Sequence, residues 1–405
     1  MTAVLERFLS YVSIDTTSAP ESTTYPSTPN QLVLGKQLVQ ELQEMGLSEV
    51  KQDEYGYITA TIPATVPNVP VLGLIAHMDT SDAVSGANIK PHILRYEGGD
   101  IVLNEDKNIL LAAKENPFLE KWVGKNLIAT DGTTLLGADD KAGIAEIMAV
   151  AERLMAKDAA PHGKVRIAFT PDEEIGAGTK YFSIKDFGAD IAYTVDGGDL
   201  GELEYENFNA ATAKIDISGY SVHPGTAKDK MINATVLGGE FLGLLPEQEQ
   251  PAHTEGRQGF YHVVQMTGSI EHCHIEIAIR DHDAAKFAAK KQLVEQIGAQ
   301  INAKWQKNVV QVTIKDSYYN MRAVIDKHMD LVEHAREAFL AHGVTPLEQP
   351  IRGGTDGARL SLAGLPCPNL STGGYNFHGR FECIPVEALH TMVDVLEELV
   401  VLWSK

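Results

Sequence analysis

Residues 71–80, VLGLIAHMDT, constrain the fold of this chain more than any other stretch. An apolar run follows Pro70 and ends in a polar pair, His77 and Asp79. This pattern predicts a buried central strand that presents two polar side chains at its carboxyl end. Ligands of open α/β sheets bind just beyond that end, and an imidazole beside a carboxylate can bind a metal. On these ten residues alone, a strand end that faces solvent is the better interpretation.

Other junctions in the chain also present acids or a histidine after an apolar or glycine-rich segment. They are Asp139–Asp140 before a helix predicted at 141–157, the acidic run 172–174 after a strand predicted at 164–170, Asp196 after a strand predicted at 190–195, and His378 in the loop 373–379. Each has an ordinary explanation as a helix cap, a solvated loop or a hydrogen-bonded histidine. However, three adjacent acids repel one another unless a cation neutralises them.

The combined set favours a centre of two metals. Two histidines and three carboxylates exceed the ligands of one tetrahedral zinc ion. The set suits two metals that share a carboxylate, with one further acid left to act as a general base.

The order of predicted elements indicates an α/β protein with an insertion. Strands and helices alternate, which predicts a sheet covered by helices on both faces. From about residue 208 the order becomes βαββαβ, the split-βαβ or ferredoxin-like arrangement. We therefore predict a larger domain formed by residues 1–207 and 321–405, with a small domain at 208–320. The strand predicted at 270–280 is expected at an edge of the small sheet, where two copies could pair.

Charge and cysteine content exclude several classes of partner. The formal charge is −21, from 34 basic and 55 acidic residues, so we expect neither a nucleic-acid partner nor binding to an anionic membrane. Three cysteines without a CxxC pair fit a reducing compartment. The first residues lack the pattern of a signal peptide, and no run is long enough to span a membrane. We predict a cytoplasmic protein.

The triplet His272-Cys273-His274 looks like a metal site but is not predicted to be one. It lies on a predicted strand, where alternation turns Cys273 away from the two histidines. A pair of surface histidines is the favoured interpretation.

Several motifs together resemble the co-catalytic zinc family that includes acetylornithine deacetylase, succinyl-diaminopimelate desuccinylase and carnosinase. The motifs are HMDT, GADDKAGIAE, TPDEEIG, TVDGG, SVHPG at 221–225, RGGTDGA at 352–358 and FHG. They are specific in combination, not individually, and they span nearly all of the chain. The resemblance implies a zinc-peptidase-type α/β/α sandwich whose inserted βαββαβ domain serves as a lid and a dimerisation surface.

The resemblance also implies a role for each matching residue. His77 and Asp196 would hold one zinc ion, Glu174 and His378 the other, and Asp139, followed by a cis peptide, would bridge the two Zn²⁺ of each chain. Asp79 would orient His77, and Glu173 would be the general base.

Substrate-binding residues follow from the resemblance in the same way. His223 would stabilise the oxyanion in a neighbouring active site across a homodimer, and Arg280 would bind a substrate carboxylate. Arg352, Gly354 and Thr355 would form a loop that binds polar groups of the substrate. Without the resemblance, His223 and Arg280 are better interpreted as a turn histidine and a surface arginine.

These assignments predict an aminopeptidase of short peptides, most similar to the branch of the family that acts on tripeptides. A water that bridges the two zinc ions would lose its proton to Glu173 and attack the peptide carbonyl. A deacylase of N-acyl amino acids or a dipeptidase with the same metals is the alternative. A non-catalytic binding module is a further alternative, against which the presence of Glu173 and Asp79 counts.

Overall fold

The computed structural model describes residues 2–405, so residue 1 of the predicted larger domain lies outside the described part. The chain forms two compact units. The first contains Met1–Tyr205, Ala323–Gln349 and Thr355–Lys405, and the second contains Glu206–Arg322 and Pro350–Gly354. Residues 350–354 thus depart from the predicted boundary, because Arg352 donates hydrogen bonds to the carbonyl oxygens of Gly256 and Gln258 in the second unit.

The strands and helices alternate along most of the chain. The strands are β1 (Ser48–Gln52), β2 (Ile58–Ile62), β3 (Leu72–His77), β4 (His92–Arg95), β5 (Ile101–Asn104), β6 (Ile109–Leu111), β7 (Asn126–Ala129), β8 (Val165–Thr170), β9 (Ile191–Gly197), β10 (Glu202–Glu204), β11 (Asn209–Ser218), β12 (Phe260–Gly268), β13 (His272–Asp281), β14 (Val310–Tyr318), β15 (Leu347–Glu348), β16 (Asn369–Ser371) and β17 (Cys383–Pro385). The helices are α1 (Ala3–Val12), α2 (Gln31–Glu44), α3 (Ala138–Leu154), α4 (Ile184–Phe187), α5 (Ala234–Gly243), α6 (Ala284–Trp305), α7 (Arg322–Ile325), α8 (Met329–Ala341), α9 (Asp356–Leu362) and α10 (Val386–Leu402). No helix in residues 2–405 combines the length and the apolar character that crossing a membrane requires.

The first unit is built, within the described residues, on an eight-stranded sheet with the order β1-β2-β8-β3-β9-β16-β10-β15. Strands β8, β3 and β9 are parallel neighbours, so their carboxyl ends lie at the same edge of the sheet. Every residue of β2, β3 and β8 is buried. Because successive side chains of a strand point to opposite faces, both faces of this part of the sheet are covered. The predicted α/β class is confirmed.

Helix α3 lies directly against the strands that carry the predicted ligands. Nearly all its residues are buried, which is typical of a helix enclosed within a core. A Cβ at Gly143 would lie 2.0 Å from the carbonyl oxygen of Val195. Only glycine allows so close an approach, and this approach fixes the start of α3 beside the end of β9.

The irregular region at 81–134 forms two small sheets within the first unit, one of them together with β17. Strands β17, β7 and β4 make a three-stranded sheet, and β5 pairs with β6. Its core includes Leu119, Trp122 and Tyr375, so this region packs against the loop that carries His378. Short strands such as β4 and β6 were not predicted, because three or four residues between turns carry no clear periodicity.

The second unit contains an antiparallel sheet with the order β12-β13-β11-β14 and the chain order βαββαβ. Phe241 of α5 and Ile297 of α6 pack against Ile275 and Ile277 of β13. The expectation that the strand at 270–280 forms an edge is wrong, since β13 lies between β12 and β11. Order along the chain does not fix order in the sheet, and here the edge strands are β12 and β14.

Candidate metal centre

Three neighbouring strands deliver predicted ligands to one place in the first unit. His77 is the last residue of β3, and Asp196 lies one residue before the end of β9. Glu174 follows β8, whose last residue Thr170 is paired in register with His77. Since these strands are parallel neighbours, side chains at their carboxyl ends converge.

The other two predicted ligands come from turns. Asp139 stands at the start of α3 with non-helical dihedral angles, φ −85° and ψ 105°. The Asp139–Asp140 peptide bond is cis, as the resemblance implied. His378 lies in the loop after β16 and has a positive φ of 58°. Neither turn belongs to a strand, so their positions relative to His77 could not be read from the sequence pattern.

The five side chains form two groups that share Asp139. In the first, Nε2 of His77 lies 2.9 Å from Oδ1 of Asp139 and 3.2 Å from Oδ1 of Asp196. In the second, Nε2 of His378 lies 2.9 Å from Oδ2 of Asp139 and 3.0 Å from Oε2 of Glu174. Within each group the candidate ligand atoms all lie within 4.8 Å of one another.

The chemistry and spacing of these atoms fit metal ions. Imidazole nitrogen and carboxylate oxygen bind zinc at about 2.0–2.2 Å, which places neighbouring ligands of a tetrahedral ion roughly 3.4 Å apart. The observed nitrogen–oxygen separations, 2.9–3.2 Å, are shorter than that value by about 0.2–0.5 Å. Oε1 of Glu174 is buried and has no hydrogen-bond partner within residues 2–405, so an acceptor remains available. Asp139, with one oxygen toward each group, has the geometry of a bridging ligand.

Asp79 fixes the backbone at Glu173 and Glu174, and Glu174 is a candidate ligand of the second group. Its two carboxylate oxygens accept hydrogen bonds from the backbone N–H groups of Glu173 and Glu174, at 2.9 and 3.1 Å. Nδ1 of His77 lies 3.0 Å from the backbone oxygen of Asp79 and 3.4 Å from its carboxylate. This contact leaves Nε2 of His77 directed at the ligand carboxylates, because a ring nitrogen that donates on one side presents a lone pair on the other.

The acidic run 172–174 is divided among separate tasks. Asp172, buried and with φ of 58°, accepts hydrogen bonds from the backbone and hydroxyl of Ser27 and from the side-chain amide of Gln31. Its charge is therefore compensated away from the centre. Of the three acids, only Glu174 belongs to a candidate ligand group. The expected repulsion is relieved partly by these hydrogen bonds, which the sequence did not reveal.

The electrostatics reflect several acids held together out of water. Burial raises the pKa of the Asp196 carboxyl to about 7, and it raises the pKa of Glu173 well above its usual range. The hydrogen bond to Asp139 raises the pKa of His378 to about 11. Burial also raises the pKa of Asp139, but the hydrogen bonds with His378 and His77 outweigh it and bring that pKa below its usual range. The arrangement stabilises positive charge between the carboxylates.

Glu382 is a residue of the centre that sequence reasoning missed. Its buried carboxylate accepts hydrogen bonds from the backbone N–H groups of Leu136, Gly137 and Asp139, at 2.7, 2.8 and 3.1 Å. It thus holds the turn that carries the candidate bridging ligand. The only sequence signal was an acid four residues after His378.

Asp140 and Asp356 are two more buried acids beside the centre. Asp140 accepts hydrogen bonds from the backbone N–H groups of His77 and Gly143, at 3.1 and 3.2 Å. Asp356 accepts one from the hydroxyl of Thr170, and burial raises its pKa to about 6. Both lie in motifs of the sequence, but their contacts are with groups that no motif predicts.

The predicted substrate-binding residues are divided between the units. His223 lies on an exposed turn, where Nδ1 accepts a hydrogen bond from the N–H of Gly225. Arg280 donates to two backbone carbonyls and lies over the ring of Tyr318. Both belong to the second unit, whereas the ligands and Glu173 belong to the first. Their roles toward substrate stay predictions.

The loop 352–355 shows structural contacts of its own. The guanidinium of Arg352 donates to the 254–258 segment and lies over the rings of Phe208 and Phe260. A Cβ at Gly354 would meet the ring of Tyr318 at 2.8 Å. Thr355 is buried, and its hydroxyl has no partner among the described residues. The role of this loop in substrate binding stays a prediction.

The triplet His272-Cys273-His274 contains two surface histidines and a buried cysteine. Cys273 is fully buried, whereas His272 and His274 face Asp216 of the neighbouring strand, with nitrogen–oxygen distances of 3.5 and 2.8 Å. The predicted alternation along the strand is confirmed.

Comparisons with known proteins identify relatives of this chain. The model of a family described as Peptidase family M20/M25/M40 matches residues 130–401. Peptidase T of Halothermothrix orenii is 54% identical over 406 residues, which cover all of both chains. Among solved structures, aminopeptidase PepT of Bacillus cereus has a TM-score of 0.78 at 23% identity, covering 100% of this chain and 98% of that one. A tripeptidase of Staphylococcus aureus has a TM-score of 0.77 at 24% identity, covering 99% and 98%.

We expect the protein to bind two divalent ions per chain. Native mass spectrometry after zinc reconstitution should count two ions, and His378→Ala should lose one, because His378 belongs to only one group. Saturating metal should also raise the melting temperature, since an ion at about 1,000 times its Kd stabilises the folded state by about 4 kcal/mol. Replacing the exposed His342 by alanine is the control and should change neither result. Retention of no ion after reconstitution would contradict the assignment.

Proposed function

The chain belongs to peptidase family M20/M25/M40 and is an aminopeptidase, and from this premise we propose that it removes the N-terminal residue from tripeptides. The observation that carries metal-dependent hydrolysis is the position of Asp139, whose two carboxylate oxygens face His77 and His378. Full-length similarity to proteins named Peptidase T and a fold shared with a tripeptidase support the choice of substrate.

Zinc is the proposed metal, with two ions in each chain. His77 and Asp196 would hold one ion, Glu174 and His378 the other, and Asp139 would bridge them. Mixed imidazole and carboxylate donors suit zinc among the divalent metals. When bound, zinc lowers the pKa of a coordinated water to about 7 and polarises the carbonyl group of the substrate.

Glu173 is the proposed general base. Within the described residues, no side chain donates a hydrogen bond to its carboxylate, whereas Asp172 is held by Ser27 and Gln31, and Glu174 faces His378. The N–H of Glu173 is fixed by Asp79. Glu173 is thus the acid of the run that remains for proton transfer. It would accept the proton of the attacking water and then donate it to the leaving amine.

The second unit supplies the proposed lid and dimer surface. Residues 262–268 of the edge strand β12 are exposed, among them Val264 and Met266. An exposed apolar edge offers unpaired backbone groups to a second copy, and a twofold dimer is the commonest assembly. In this proposal His223 stabilises the oxyanion, Arg280 binds the substrate carboxylate, and residues of the loop 352–355 bind its polar groups.

A cytoplasmic location is also proposed. The three cysteines are buried and unpaired, which fits a reducing compartment.

Peptides of defined length test the proposed substrate. We expect a free tripeptide to be cleaved with a kcat/KM at least about tenfold above that of the matching dipeptide and tetrapeptide, a difference of about 1.4 kcal/mol in transition-state binding. The reason is that Arg280 is proposed to bind the substrate carboxylate, which a peptide one residue longer or shorter displaces. The N-acetylated tripeptide is the control. Preferential release of acetate from it would favour the deacylase instead.

A single substitution tests the proposed base. Glu173→Gln keeps the shape of the side chain but removes its basicity, so we expect kcat to fall by roughly 10²–10⁴-fold while two zinc ions remain bound. Replacing the exposed Glu105 by glutamine is the matched control and should leave kcat unchanged. Near wild-type turnover of the Glu173 variant would refute the assignment.

Subunit mixing tests whether His223 acts across a dimer. His223→Ala should lower kcat by about 10²–10³-fold, the usual effect of removing one oxyanion donor. Mixed with Glu173→Gln chains, it should regain activity, because one site of the heterodimer combines an intact Glu173 with an intact His223 from the other chain. The control replaces the Glu173→Gln partner by the Glu173→Gln/His223→Ala double variant, which offers no intact His223. Absence of recovery after demonstrated subunit exchange would refute action in trans.

A further inference from the structure

Glu382 joins two segments of the centre that are far apart in sequence. Its carboxylate accepts three backbone N–H groups from the turn that ends at Asp139. Its own position lies four residues after His378, in the loop that carries that histidine. One buried side chain therefore connects the turn of the candidate bridging ligand to the loop of a ligand of the second group.

The backbone around Glu382 is itself fixed. The N–H of Glu382 donates to the carbonyl oxygen of Gly379, and Tyr375 and Cys383 exchange two backbone hydrogen bonds that close the loop. Cys383 then continues into β17, which pairs with β7. Tyr375 is also held in place, because its ring stacks on that of Phe118 with centroids 3.9 Å apart. Because its own backbone is held in this way, the Glu382 carboxylate can fix the position of the backbone N–H groups that it accepts.

The turn that Glu382 holds has no regular structure to maintain it. Gly137 has a positive φ of 79°, and Asp139 has non-helical dihedral angles. Three N–H groups of such a turn point toward one spot and need an acceptor there, since buried donors are rarely left unpaired. The two oxygens of Glu382 supply it.

We propose that Glu382 is a positioning residue that holds the carboxylate of Asp139 opposite His378 and so prepares the second metal site. Asp139 uses both carboxylate oxygens, at 2.9 Å from His77 and 2.9 Å from His378. A displacement of its backbone by a few tenths of an ångström would alter both distances. The inference rests on the two-metal centre of the proposed function, but not on the identity of the substrate.

Glu382→Gln provides the test, because the amide keeps the size of the side chain while presenting a donor to at least one backbone N–H. Zinc affinities are measured by competition with a chromophoric chelator, starting from metal-free protein. We expect the Kd of the more weakly bound ion to rise about 10–100-fold, the usual effect of losing a group that orients a metal ligand. At limiting zinc, tripeptide hydrolysis should fall by a similar factor, and it should recover when free zinc is raised in proportion.

Glu146→Gln is the matched control. Glu146 is also a buried glutamate of the first unit, but its two carboxylate oxygens have no hydrogen-bond partner among the described residues. Its amide variant breaks no hydrogen bond and should bind both zinc ions within about twofold of the wild-type affinities. The comparison separates the general effect of replacing a buried glutamate by its amide from the specific loss of hydrogen bonds to the turn.

The outcomes distinguish positioning from a purely structural role. Unchanged affinities for both ions in Glu382→Gln would overturn the proposal, even if activity or melting temperature fell. If this variant does not fold, Glu382→Asp replaces it, since it keeps the charge but withdraws the oxygens by one methylene, and the same weakening is expected. The affinities are measured without substrate, so a failure of the tripeptide assay alone would count against the proposed function and not against this inference.

Discussion

The shared carboxylate of Asp139 is the constraint on which the rest of the centre depends. Its two oxygens face imidazoles that stand 301 residues apart in the sequence, at His77 and His378. A carboxylate that contacts two imidazoles at once loses both contacts if its backbone moves. The turn around it is accordingly held by Glu382, which accepts three of its backbone N–H groups. The peptide after Asp139 leads to Asp140, which accepts the N–H of His77 and so joins the turn to β3.

The parts of the centre that lie on regular strands could be predicted from the sequence. The strands β3, β8 and β9 are apolar runs that end in polar residues, and parallel strands place such ends at one edge of a sheet. That argument brought the strand ends at His77, at the acidic run 172–174 and at Asp196 together, but only the family resemblance selected Glu174 from its run. Asp139 and His378 stand in turns, so residue type alone included them in the candidate set, and the family resemblance gave each its role in the centre. The α/β class and the βαββαβ order of the second unit could also be predicted, because the periodicity of apolar residues indicates helices and strands directly.

The parts that escaped prediction share a physical cause, which is that they depend on contacts between distant segments. Glu382 acts on backbone N–H groups near residue 136, and backbone groups have no sequence signature. Asp172 looks the same as its two neighbours in sequence, yet its backbone conformation turns it toward Ser27 and Gln31. Strand β13 was expected at an edge because chain order does not specify which strands become neighbours. Arg352 belongs to the second unit through contacts with residues about a hundred positions earlier.

Hydrogen bonds within the protein fix the segments that carry the candidate ligands. Asp79 holds the N–H groups of Glu173 and Glu174, Glu382 holds the turn of Asp139, and Asp172 holds the segment that contains Ser27. Each of these acids binds backbone N–H groups, so part of the acidic content of the centre serves to fix loops. Backbone segments fixed in this way hold the candidate ligands in one arrangement among the many that flexible loops would allow. The high density of buried carboxylates is therefore explained by two tasks, since some belong to the candidate ligand groups and others keep those carboxylates in place.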